Sequence, residues 1–283
     1  MNQTTPKNKV ALVCIGDKPL DRNAMEVSGA ILNALDLHPI LFHVLRPGSS
    51  SDEGAERLEK AQQMLGIEDA ELLCIAGQPK SQILRELEQR NYQLLVLGTS
   101  ERDANLAPSR MSQDLANQVS TSVLLLRNPP KQIERILICT AGHEESTKVI
   151  SWGICLAQTI NQQVTILHVA SSPPTMYTGL DALEEDLSQV LSRESPLAKH
   201  LKSAASMAEG AGVKADLELR HGLVPEEILR ACEVKPHDLV VLGAPEPRAI
   251  LDRLLLGRIA PKLLSSTLCS TLIVRGELDT ADN

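Results

Sequence analysis

Aromatic residues are almost missing from this sequence: one Trp, two Tyr and one Phe make up 1% of 283 residues. Proteins that hold single-stranded nucleic acid stack its bases on aromatic platforms, and this chain has none to offer. A basic surplus is missing too. Asp and Glu number 36 against 28 Lys and Arg, a formal charge of −8. Nucleic acid is therefore not an expected partner, because a phosphate-backbone binder needs a basic face. No apolar run approaches the ~20 residues of a membrane-spanning helix. The run Val10–Ile15 is too short for a signal peptide. A soluble cytoplasmic protein with no membrane partner is expected. The six cysteines, at 14, 74, 139, 155, 232 and 269, form no C-x-x-C pair. Neither a zinc site nor a disulfide framework is expected, and the thiols read as small buried hydrophobes. There is no G-x-S-x-G elbow, no G-x4-G-K-[ST] loop and no obvious carboxylate pair, which argues against catalysis.

What is present is aliphatic. Apolar residues make up 43% of the chain, so its core is built from Leu, Ile, Val and Ala. That composition suits parallel strands covered by helices on both faces. The length suits two domains, and the two halves repeat one another. KVALVCIG from Lys9 matches RILICTAG from Arg135, and LFHVL from Leu41 matches ILHVA from Ile166. The segment from Ala76 to Gly98 matches that from His221 to Gly243, and STSVLLLR matches LCSTLIVR. The second copy carries about 20 extra residues between Val169 and Gly222. The expected boundaries are residues 1–128 and 133–277, with a short stiff linker at 129–132 and a tail at 278–283.

Within the second copy, strands are predicted over Arg135–Thr140, Val164–Val169, Ala215–Arg220, Asp238–Leu242 and Thr271–Val274. Helices are predicted over Ser146–Asn161, from Pro225 and over Ile259–Ser265. Strand–helix alternation implies a parallel sheet with right-handed crossovers.

These segments, in this order and duplicated, resemble the universal stress protein family from about Lys9 to Arg275. The resemblance implies two tandem Rossmann-like (adenine nucleotide alpha hydrolase-like) α/β domains, each a five-stranded parallel sheet flanked by helices. It also implies stress-response proteins, often dimeric, many of which bind ATP. Family dimers commonly pair through the last strand. Val123–Arg127 and Leu272–Arg275 are therefore expected to pair within the chain as an intramolecular pseudo-dimer, with scope for a further homodimer.

ATP-binding members of the family use an aspartate after strand one and a loop of the form G-x2-G-x9-G-[ST]. The glycines and a helix N-terminus let backbone N–H groups meet phosphates. Both copies depart from this. In the second, Ala141 follows Thr140 in the aspartate position, with Val169 ending the next strand. Gly243 and Gly257 are kept, and Arg258 replaces the hydroxyl residue. In the first, Gly16 holds the aspartate position with Asp17 one later. Gly98 is kept, Ser109 replaces the last glycine, and Arg110 follows. The arginines read either as anion clamps or as solvent-facing helix starts. If one copy binds, the second keeps more of the loop.

His143-Glu144 begins an H-E-x-x-H zinc motif, but the fifth position is Thr147, so an acidic helix start is expected instead. His43 and His168 end matched strands, with no obvious acid partner for either. The extra segment, 171–206, contains a helical pattern at Leu183, Leu187, Val190 and Leu191, read as a helix packed on its own domain or as a lid or partner-binding helix. The expected function is non-enzymatic, through unidentified protein partners or a ligand, with degenerate pockets. The alternatives are an ATP or adenine-nucleotide sensor with slow hydrolysis, and a catalytic relative.

Overall fold

The computed structural model describes residues 9–98, 109–170, 186–244, 259–266 and 269–278. The first half supplies β1 (Val10–Ile15), α1 (Arg22–Ala34), β2 (His38–Leu45), α2 (Ser51–Leu65), β3 (Glu71–Ala76), α3 (Pro79–Gln89), β4 (Leu94–Leu97), α4 (Arg110–Gln118) and β5 (Ser122–Leu125). The second supplies β6 (Arg135–Thr140), α5 (Thr147–Thr159), β7 (Gln163–Ala170), α6 (Leu187–Ser192), α7 (Pro196–Gly210), β8 (Ala215–His221), α8 (Val224–Val234), β9 (Leu239–Gly243), α9 (Ile259–Ser266) and β10 (Ser270–Val274). A 3₁₀ turn, Glu144–Ser146, precedes α5, so the helix expected from Ser146 starts one residue later. Leu183, expected in the helix of the extra segment, lies outside the described residues.

The ten strands among the described residues form one sheet, in the order β3-β2-β1-β4-β5-β10-β9-β6-β7-β8. Every pairing is parallel except β5 with β10, which is antiparallel with Leu272 opposite Leu124. The two last strands thus pair, as expected of edges that seek partners. A reciprocal clasp reinforces the joint. The Arg127 amide donates to Ser270 Oγ at 3.2 Å, and the Arg275 amide donates to Ser122 Oγ at 3.1 Å. Two hydrophobic cores cover the two faces, and each draws residues from both halves. The six cysteines form no disulfide and pack against one core or the other, and burial pushes the Cys14 and Cys139 thiols well up from the ordinary value, as expected of small buried hydrophobes.

Local signals explain the helices that matter here. Ser50 and Glu53 form a capping box at the start of α2, and Gly66 ends it in the left-handed conformation. Ser195 caps α7, with Pro196 as its first residue. Helix α1 crosses α2 closely at Gly29, where an added Cβ would lie 2.1 Å from the Leu65 carbonyl oxygen. Gly-to-Ala inside a helix ordinarily gains about 1 kcal/mol. At Gly29 the sign is expected to reverse, with Gly29→Ala costing about 2 kcal/mol because two backbones must separate. Urea unfolding at unchanged slope measures it; a gain in stability would contradict this crossing.

Candidate functional site

Open parallel sheets bind ligands beyond the carboxyl ends of their strands. In the first half those ends are Gly16 and Asp17 after β1, Arg46 after β2 and Gly98 after β4. The register of β1 with β4, Cys14 beside Leu97, brings Gly98 next to the end of β1. Among the described residues, a Cβ on Gly16 or Gly98 would meet nothing within 4 Å, so neither glycine is required by close packing there.

Asp17 is the centre of the first-half site. Its Oδ2 lies 2.5 Å from Arg46 Nε, and its Oδ1 lies 3.8 Å from His43 Nε2. The expectation that neither strand-end histidine has an acid partner is therefore corrected at His43. The aspartate follows β1 while the histidine is on the neighbouring β2, so sequence distance hides the pair. His43 Nδ1 lies 2.8 Å from the Ile15 carbonyl oxygen, which assigns the proton of the neutral ring to Nδ1. Arg57 of α2 donates to the carbonyl oxygens of Gly16, at 3.0 Å, and Lys18, at 2.8 Å. It thereby ties the helix to the β1–α1 turn. Together these groups border an open cleft of about 800 Å³, lined also by Leu20, Glu53, Glu56 and Lys60. Gly54 lets α2 lie against the sheet there, since a Cβ would be 2.6 Å from Cys74 Sγ. Ser109 acts as the N-cap of α4, its hydroxyl accepting from the Ser112 amide at 3.1 Å. Arg110 is the exposed first residue of that helix.

The second half has the same frame and a different interior. Thr140, Gly243 and Val169 lie at adjacent strand ends, and Ala141 is exposed at the turn. Gly257 and Arg258 lie outside the described residues. His168 Nδ1 lies 3.1 Å from the Thr140 carbonyl oxygen, repeating the contact of His43 with Ile15. A buried network then fills the space. Thr140 Oγ1 is 2.7 Å from His200 Nε2 and 2.8 Å from Ser146 Oγ, and it accepts from the Gly142 amide at 3.2 Å. Ser146 Oγ donates to the His143 carbonyl oxygen at 2.6 Å. Gly142, at φ +81°, is overlain by His168 and Leu197, which would stand 2.7 Å from an added Cβ. Burial holds the imidazoles of His168 and His200 below the ordinary histidine value, and neighbouring His143 pushes both further down.

The two helices correspond. Leu58, Ala61 and Leu65 are buried on α2, and Leu201, Ala204 and Ala208 on α7, at one constant offset. That offset aligns Gly54 with Leu197 and Arg57 with His200. A guanidinium reaching backbone carbonyls in one half thus stands where an imidazole reaches a threonine in the other. Arg46, Arg57, Ser146 and His200 were missed from sequence, and matching the buried faces of α2 and α7 is the signal that finds the helix pair. Among the described residues no group of three or more His, Cys, Asp or Glu side chains is placed to hold a metal ion. No described helix is long and apolar enough to cross a membrane.

The model of the universal stress protein family matches residues 132–275, more than half of the chain. This protein belongs to the universal stress protein family. A universal stress protein of Methanocaldococcus jannaschii is 29% identical over 151 residues, spanning 53% of this chain and 87% of that one. Two solved structures share the fold over 94% of this chain. One is described as a putative universal stress protein from Pseudomonas aeruginosa, at 15% identity, 92% of its own length and a TM-score of 0.66. The other is a universal stress protein from Archaeoglobus fulgidus, at 13% identity, 98% of its length and a TM-score of 0.60.

Proposed function

We propose that this universal stress protein is a non-enzymatic stress-response protein that binds a small ligand in its first-half cleft. The observation that carries the reading is the contrast between the halves. The space around Asp17 and Arg46 is open, while its counterpart is filled by Leu197 and His200. No nucleophile hydrogen-bonded to a base faces the open cleft among the described residues, which supports binding over catalysis.

The lining favours a ligand of low net charge. Asp17, Glu53 and Glu56 balance Arg46, Arg57 and Lys60, and Arg57 is committed to backbone carbonyls. A triphosphate would meet three carboxylates here, so the donor set fits it poorly. Adenosine or AMP fits better: Arg46 can exchange Asp17 for one phosphate, freeing the carboxylate to accept from ribose hydroxyls.

Thermal unfolding with adenosine, AMP, ADP and ATP tests this. A ligand at 100 times its dissociation constant stabilises the native state by about 2.7 kcal/mol, a shift of several degrees. The expected order is AMP and adenosine ahead of ATP, with Arg46→Ala weakening AMP binding about tenfold or more. No shift with any of the four at millimolar concentration, or an AMP shift indifferent to Arg46→Ala, would refute the site.

A further inference from the structure

The hydrogen-bond network of the second half specifies where its protons are. Ser146 spends its single hydroxyl proton on the His143 carbonyl oxygen. The proton between Thr140 Oγ1 and Ser146 Oγ must therefore come from Thr140. With that proton spent, the 2.7 Å contact with His200 requires His200 Nε2 to be the donor. In the neutral ring the Nδ1 of His200 is then bare. His168 is the opposite tautomer, with its Nδ1–H on the Thr140 carbonyl oxygen. Two histidines thus hold one threonine by its hydroxyl and by its carbonyl, and each keeps one nitrogen able to take up a proton.

Among the described residues no carboxylate forms an ion pair with either imidazole. His143 is on the β6–α5 turn, His168 on β7, and His221 ends β8. Positive charge on these rings is mutually unfavourable, His143 and His168 acting on His200, and His143 and His221 on His168. Glu144 and Glu145 of the turn are exposed. Lys148 of α5 donates to the Arg275 carbonyl oxygen, Lys199 of α7 pairs with Glu194 at 3.6 Å, and Arg220 of β8 pairs with Glu218 at 2.6 Å. Lys202 of α7 is exposed.

We propose that α7 is a proton-operated latch over the carboxyl end of the second half. With His168 and His200 neutral it is shut on Thr140, and protonation of the pair releases it. Release uncovers the end of β6, the counterpart of the cleft that is already open in the first half. This stands apart from the ligand reading above, since it concerns the other half. The sign follows from linkage. Both histidines are held below the ordinary value of 6.5 in the latched state, so the released state binds more protons. The latch is at full strength above about pH 6.5. It weakens as pH falls below that, by up to about tenfold per pH unit per histidine, until the lowered native values are reached. In the first half Arg57 does the corresponding tethering, with a guanidinium on backbone carbonyl oxygens.

Hydrogen–deuterium exchange on the full chain at pH 7.5 and 5.5, corrected for intrinsic rates, tests the proposal. Protection of residues 196–210 is expected to fall about tenfold or more, and that of residues 51–65 less than about twofold. His237, buried at the opposite end of the strands, is also held below the ordinary value by burial. His200→Gln separates the two effects. It keeps an N–H donor toward Thr140, removes one titration and leaves His237 in place, so the pH step at 196–210 should shrink. Equal protection at both pH values, an equal loss over 51–65, or an unchanged step in His200→Gln would overturn the latch. Should that variant fold poorly, nitrogen-edited NMR of the unmodified protein decides. Finding His200 as the Nδ1–H tautomer, or titrating without change in the α7 amides, would also overturn it.

Discussion

Trp152→Ala is expected to lower the unfolding free energy by about 3–5 kcal/mol, the largest single effect predicted for this protein. Trp152 is the one tryptophan of the chain and is fully buried. In a core otherwise made of aliphatic side chains, nothing nearby is large enough to refill its volume. The ring does a second job. Its Nε1–H donates to the Gly276 carbonyl oxygen at 3.2 Å, fixing the segment after β10 onto α5. The neighbouring Gly153 admits Ile138, 2.4 Å from where a Cβ would be, so α5 cannot slide inward to close the gap. Urea unfolding followed by circular dichroism should show a lower midpoint at unchanged slope. Trp152→Phe keeps most of the apolar area and loses the donor, and should cost about 1 kcal/mol more than its volume change alone. A Trp152→Ala cost below about 1 kcal/mol would mean that α5 is not anchored by this ring.

Leu272→Ala is expected to cost about 2–5 kcal/mol, and both halves should register the loss together. Leu272 and Leu124 are fully buried and directly opposed across the one antiparallel pairing of the sheet. They contribute to a core that continues into both halves. Helices α1 and α5 also meet across the joint, where Cys155 Sγ and Thr159 Oγ1 each lie 3.5 Å from the Ala34 carbonyl oxygen. With cores shared on both faces, unfolding should be one cooperative transition. Trp152 fluorescence reports the second half, and exchange over residues 10–45 reports the first. The double variant with Leu124→Ala should be less destabilised than the sum of the singles by roughly 0.5–3 kcal/mol, because the two side chains share one contact. Two separated transitions in the unmodified protein would show that the joint does not couple the halves.

Much of this fold was legible beforehand, for a local reason. Strands of a parallel sheet are buried on both faces, so they appear as short aliphatic runs wherever they occur. Arg135–Thr140 was bounded correctly from its sequence alone, and the other second-half strands to within about a residue at each end. The duplication made each reading in one half a check on the other. Gly77 and Gly222 show this well. They occupy matched positions, have φ of +145° and +141°, and donate to the carbonyl oxygens of Leu45 and Ala170 at the matched strand ends. The pairing of β5 with β10 was expected from the family resemblance, whose dimers commonly pair through the last strand, and from the uncapped edges of those strands.

The site was legible only along the chain. Strand ends locate Gly16, Asp17, Thr140 and Gly98, because a strand end is a local feature. What those residues touch was not visible. Arg57 reaches Gly16 from 41 residues away and His200 reaches Thr140 from 60, and the rotation of each helix on the sheet selects which side chain arrives. By itself, then, the sequence determined the elements, their repetition and the strand ends that carry the candidate site residues, since composition and period carry that information within a few residues. Only the tertiary structure decided that, among the described residues, the end of β1 borders a cleft while that of β6 is covered. At one matched helix position a glycine, Gly54, lets α2 settle against the sheet beside a cleft, while Leu197 of α7 covers Gly142 and closes its counterpart. That difference is a matter of volume and packing between segments far apart in the chain, and no local pattern records it.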